Sequence, residues 1–107
     1  MKLDPHPKFW ATVKVRHPGE DGLTEEFRAR YRALTVDEFT NHDLTTGAGT
    51  EAFLRDVLID FDDLQDVDGR ALAFGDSTLL ALMAPPHVRL ALVRTYETAI
   101  REAARGN

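Results

Sequence analysis

The chain contains no cysteine. That absence excludes a disulfide framework, thiolate catalysis and thiolate-based zinc sites, and it is compatible with a reducing compartment. No apolar run is long enough to span a bilayer. The opening Met1-Lys2-Leu3-Asp4-Pro5-His6-Pro7 has no apolar stretch behind its lysine, so no secretory signal is expected and the setting is read as intracellular. No phosphate-cradling glycine loop occurs, and Gly75-Asp76-Ser77-Thr78 lacks the G-x-S-x-G elbow of a serine nucleophile. His6, His17, His42 and His87 have no histidine three or four residues away, which argues against a helical zinc motif and suggests surface or capping roles. Positive charge is also in deficit. Thirteen Lys and Arg stand against 18 Asp and Glu, a formal charge of −5 that disfavours a phosphate-backbone partner. Neither nucleic acid nor membrane is expected as a partner, and no cofactor is expected.

The 107 residues suffice for one small domain, and a 43% hydrophobic, 29% charged composition is that of a folded globular chain. Residues 1–7, with two prolines, are expected to form a flexible N-terminal arm, and residues 8–105 the single domain. From Phe9 the apolar residues recur at every second position: Phe9, Ala11, Val13 and Val15 alternate with Trp10, Thr12, Lys14 and Arg16. That is a strand period. Pro18, Gly19 and Gly22 then supply a reversal. Phe27, Ala29, Tyr31 and Ala33 alternate with Arg28, Arg30 and Arg32, predicting the second arm of a β-hairpin; an amphipathic helix over residues 24–34 is the alternative.

Thr35 followed by Glu38 has the form of a capping box opening a short helical turn. Phe53, Leu54, Val57, Leu58 and Phe61 follow one helical face, predicting a helix from Thr50 to Phe61. Ala52 and Ile59 fall opposite that stripe. Asp66-Val67-Asp68-Gly69 signals a turn, after which Leu72 and Phe74 alternate in a brief extended segment. Ser77 is expected to cap a helix over residues 78–83, which Pro85 and Pro86 stop while opening the next one. In that last helix, residues 87–105, the stripe is Val88, Leu92, Val93, Tyr96, Ala99, Ile100 and Ala103, with Leu90 off it and Glu97 paired with Arg101. The expected fold is α+β, an N-terminal β-hairpin packed against three or four α-helices.

Two charge clusters invite a functional reading. The run Asp60, Asp62, Asp63, Asp66, Asp68 does not match an EF-hand, because Leu64 and Gly75 stand where ligands would be required. Another hard-metal site, or a solvated helix end, remains open for it. If the hairpin forms, Lys14, Arg16, Arg28, Arg30 and Arg32 share its outer face with Trp10. The face is either simply solvated or docks an acidic partner or the acidic run of a neighbouring copy. Trp10, Arg28, Arg30, Arg32, Ile59 and Leu90 are the candidate partner-binding residues. No catalytic residue and no metal ligand set is assigned.

The order of Phe9-Trp10-Ala11-Thr12-Val13-Lys14-Val15, Val57-Leu58-Ile59-Asp60-Phe61, Val67-Asp68-Gly69 leading to Leu72-Ala73-Phe74, and Val88-Arg89-Leu90-Ala91-Leu92-Val93-Arg94-Thr95-Tyr96 resembles the tail assembly chaperones of long-tailed bacteriophages. The likeness runs over residues 9–100. It implies a non-enzymatic phage or prophage protein of the host cell cytoplasm that binds the tape measure protein, keeps it soluble and helps recruit tail tube subunits. It also implies absence from the finished virion and, in many members, a longer frameshifted form. Self-association into a homo-oligomer is a further expectation. The alternatives are a tail completion or head-tail connector subunit, and a small metal-dependent hydrolase using Asp60, Asp62 and Asp66.

Overall fold

The strand alternation of the first third is what the chain adopts. In the computed structural model, which describes residues 1–106, β1 (Lys8–Arg16) pairs antiparallel with β2 (Thr24–Arg32), register Lys8 to Arg32 through Arg16 to Thr24. Gly22, at φ 57°, takes a left-handed conformation in the reversal, which its missing Cβ permits. Val13, Val15, Phe27, Ala29 and Tyr31 are buried, whereas Trp10, Thr12, Lys14, Arg16 and Arg28 are exposed. The helical alternative for residues 24–34 is therefore excluded. Its good helix formers are overridden by the burial that a period of two provides.

After β2 the capping box forms as expected. The Thr35 hydroxyl accepts from the Glu38 amide, the Glu38 carboxylate accepts from the Thr35 amide at 3.0 Å, and α1 spans Val36–Thr40. The next helix departs from expectation at both ends. Thr46 caps it by accepting from the Gly49 amide at 3.0 Å, so α2 runs Gly47–Val57 rather than from Thr50 to Phe61. Gly49 is required there, since a Cβ would lie 1.8 Å from the Asp43 carbonyl oxygen.

Beyond Val57 the chain turns extended and forms β3 (Leu58–Asp62), which pairs antiparallel with β2, so the sheet has three strands in the order β1-β2-β3. A bulge explains why this segment reads as helix. Leu58 lies opposite Tyr31 and Asp60 opposite Arg30, leaving Ile59 as the extra residue, after which Phe61 faces Ala29. The inserted residue moves Leu58 and Phe61, three apart, onto one buried face, and a spacing of three is also a helical spacing.

The expected turn forms at Asp66–Gly69, the Gly69 amide donating to the Asp66 carbonyl at 3.0 Å with Gly69 at φ 81°, and the Leu72 amide donates to the Leu64 carbonyl at 2.8 Å around it. In α3 (Asp76–Met83) the cap is Gly75 and not Ser77, because the Leu79 amide already donates to the Gly75 carbonyl and places Ser77 inside the first turn. Pro86 opens α4 (Pro86–Ala104), and Gly106 follows it at φ 74°. Arg89 fastens the helices together, donating through Nε to the Met83 carbonyl (2.8 Å) and through Nη1 to the Gly47 carbonyl (3.0 Å).

One core lies between the sheet and the helices. Tyr31, Phe53, Leu54, Val57, Met83 and Leu92 are almost wholly buried. The Phe53 ring meets Tyr96 edge-on at 5.1 Å, Tyr31 stacks on Phe9 at 5.5 Å, and Phe27 meets Phe61 at 6.1 Å, separations at which aromatic pairs attract. Two hydroxyls are satisfied within it: Tyr31 donates to the Leu92 carbonyl at 2.8 Å, and Tyr96 accepts from the Leu34 amide at 2.9 Å. Burial pushes the Tyr31 phenol well above its ordinary pKa, so it stays protonated as a donor. The described residues thus form an α+β domain of a three-stranded antiparallel sheet and four helices. Among the described residues no helix is long and apolar enough to cross a membrane.

Candidate binding surfaces

The uncovered face of the sheet carries half of the expected site. Trp10 is 37% exposed, and the guanidinium carbons of Arg28 and Arg30 lie 5.1 and 5.9 Å from its ring centroid, within cation–π range. Asp62 and Asp60 are the register partners of Arg28 and Arg30. Neither arginine closes an ion pair with an acid among the described residues, and Arg30 Nε is buried without a hydrogen-bond acceptor. Within the domain the contact of both guanidinium groups is the Trp10 ring.

Arg32 differs. Its Nε donates to the Asp56 carbonyl at 2.8 Å, Nη2 pairs with the Asp56 carboxylate, and Glu38 Oε2 lies 3.8 Å away. His42 Nε2 donates to the second Asp56 oxygen at 2.9 Å, and His6 Nε2 contacts Glu38 at 2.6 Å. Burial pushes the Asp56 carboxyl up, but the bonds from His42 and Arg32 outweigh it and hold the pKa below the usual value. Glu38 is pushed down to about 2, chiefly by the Thr35 amide and then by His6 and the Thr35 hydroxyl. The Asp56 hydrogen bond raises the pKa of Arg32. This network joins β2, α1 and α2, so Arg32 serves the fold and is separated from Trp10, Arg28 and Arg30 in role.

Ile59 and Leu90 do not join that face through the geometry expected of them. Ile59 is the half-buried bulge residue of β3, not the back of a helix. Leu90 is 50% exposed on α4. Trp10 lines a groove between β1 and α4, whereas neither Ile59 nor Leu90 lines any of three surface grooves.

The most apolar of these grooves involves residues the sequence did not single out. It holds about 490 Å³ between α1 and the C-terminal half of α4, and its lining includes Leu34, Val36, Phe39, Tyr96, Ile100 and Ala104 together with Glu97 and Arg101. Val36 is 79% exposed and Ile100 39% exposed. Ile100 was assigned to the apolar stripe of α4, yet only Val88, Leu92 and Tyr96 of that stripe are fully buried. The capping box beside Val36 is the one local signal that could have drawn attention to this position.

The histidines are not scattered in space. His17 Nδ1 and His87 Nε2 are 3.0 Å apart, with His17 Nε2 2.8 Å from Glu25, linking the end of β1 to the start of α4. The aspartates are engaged locally: Asp60 accepts from the Phe61 amide, Asp62 from the Asp63 amide, and Asp66 from the amides of Asp68 and Arg70. Among the described residues no group of three or more His, Asp or Glu is placed to hold a metal ion.

The fold and these surfaces define a small α+β domain with two open grooves on α4 and a basic, tryptophan-bearing sheet face. No family model, no curated protein and no solved structure matches the chain.

Proposed function

We propose that this chain is a non-enzymatic assembly chaperone of the phage tail type, which binds a helical segment of the tape measure protein in the host cell cytoplasm, keeps it soluble and helps recruit tail tube subunits. The observation that supports this reading is the apolar groove between α1 and α4. Val36 and Ile100 leave apolar surface in water beside Leu34 and Phe39, and the charged Glu97 and Arg101 in the same lining suit the polar flank of an amphipathic helix. The resemblance over residues 9–100 supplies the identity of the client.

Co-expression with the tape measure protein encoded beside it tests the proposal. The client is expected in the soluble fraction and retained with the chain, and Val36→Glu with Ile100→Glu should abolish both effects while leaving the domain folded, since both residues are exposed. An insoluble client in the presence of well-folded chain would overturn the reading.

A further inference from the structure

Among the described residues no strand lies beside the outer edge of β1. β1 ends the sheet, and its hydrogen-bond parity can be read from the two ends of the hairpin. The Pro7 carbonyl accepts from the Ala33 amide and the His17 amide donates to the Leu23 carbonyl, each at 2.8 Å. Bonded pairs alternate in an antiparallel ladder, so Phe9, Ala11, Val13 and Val15 direct their backbone groups at β2. Trp10, Thr12 and Lys14 direct theirs away from it, where they meet no backbone partner among the described residues.

Alongside that edge runs the groove of about 550 Å³ whose far wall is one face of α4, including Ala91, Thr95 and Ala99. Small side chains there leave the edge approachable. An open strand edge with a helix facing it across a groove is a geometry that accepts an extended peptide as an added strand.

Charge selects the occupant. Lys14 and Arg94 line the groove against the single acid Glu102, and Lys8 and Arg16 extend the charge along β1, where Lys14 alone of the three cations has an acid, Glu26, as its β2 register partner. This basic edge belongs to a chain of net charge −5. A second copy is disfavoured, because antiparallel pairing of β1 with itself about Thr12 sets Lys8 against Arg16, and edge lysines oppose such pairing.

We propose that an extended, acidic peptide segment of a partner protein binds as a fourth strand along the free edge of β1, in the groove between β1 and α4. Its residues opposite Trp10, Thr12 and Lys14 share the outer face, where acids meet Lys14 and the neighbouring arginines. Its alternate residues face α4 and must be small and apolar. This surface is separate from the groove of Val36 and Ile100, so either proposal can fail without the other.

Trp10 is the only tryptophan and lies at the site, so its emission reports binding directly. The probe is a short peptide alternating Glu and Val, with a Lys and Val peptide as control. The Glu peptide is expected to shift Trp10 emission saturably, more weakly as salt rises, and the Lys peptide not to bind. Thr12→Pro removes an outward amide that the β1–β2 ladder does not use and should weaken binding about tenfold. Lys14→Glu should weaken it about fivefold and admit the Lys peptide. If Thr12→Pro disturbs the fold, a Glu and Val peptide methylated on alternate backbone nitrogens carries the same test from the ligand side. Equal binding of both peptides, or affinity indifferent to Thr12→Pro, to methylation and to Lys14→Glu, would overturn the proposal. So would a dimer of the free chain that Thr12→Pro dissolves, which would assign the edge to a second copy.

Discussion

Removing the hydroxyl of Tyr96 and removing that of Tyr31 should have unequal effects on stability, although both sit in the same aromatic cluster with ring centroids 5.7 Å apart. Tyr31 donates to the Leu92 carbonyl, which lies within α4 and also accepts the helical amide four residues on. Tyr31→Phe deletes a donor and leaves that carbonyl bonded, so the loss is a net hydrogen bond, about 0.5–1.5 kcal/mol. Tyr96 instead accepts from the Leu34 amide at 2.9 Å, a half-buried donor between β2 and α1 with no other partner among the described residues. Tyr96→Phe strands that amide and should cost about 1–3 kcal/mol. Urea unfolding followed by far-UV circular dichroism reads the difference. With a denaturant slope of about 1–3 kcal/mol/M, Tyr96→Phe should lower the midpoint by roughly 1 M, and Tyr31→Phe by roughly half as much. A larger effect at Tyr31 than at Tyr96 would refute the argument that the stranded donor, and not the lost bond, sets the penalty.

The capping box and its network make stability depend on acid. Glu38 falls from an ordinary 4.5 to about 2 on folding, and Asp56 shifts in the same direction, so the unfolded chain binds protons more readily. The contribution is complete above about pH 4.5 and is withdrawn as the pH falls toward 2, and Glu38→Gln should flatten the dependence of the urea midpoint across that window. An unchanged slope would remove Glu38 from this role. In α2, Gly49→Ala should destabilise by about 1–3 kcal/mol, because its Cβ would meet the Asp43 carbonyl. Gly47→Ala, whose Cβ would lie 3.7 Å from Arg89 Nη1, should be neutral or slightly stabilising through helix propensity, and thermal melts of the two variants separate clash from propensity.

Arg32 shows how tertiary contacts redistribute a surface that looks uniform along the chain. Arg28, Arg30 and Arg32 are equivalent in the strand period, yet Asp56 and Glu38 engage only the last of them. The other two lean toward Trp10. Position along β2 decides this, since Arg32 ends the strand beside α1 and α2 while Arg28 and Arg30 lie where the outer face has no cover.

The sequence by itself determined those features that depend on local periodicity and local capping. Alternation fixed β1 and favoured β2 with its inner face, Thr35 and Glu38 fixed the start of α1, and Pro86 fixed the start of α4, because each is a relation among residues a few positions apart. Tertiary structure decided what depends on partners distant in the chain. Leu58 to Asp62 became a strand because β2 offered a free edge and a bulge at Ile59 brought Leu58 and Phe61 to the core. His17 met His87, and His42 met Asp56, through packing that no spacing encodes. The apolar groove of Val36 and Ile100 exists because packing sets α1 beside the C-terminal half of α4. A side chain's place in a helix or strand is a local matter, but whether it ends in the core, in a network or in water depends on what the rest of the chain places against it.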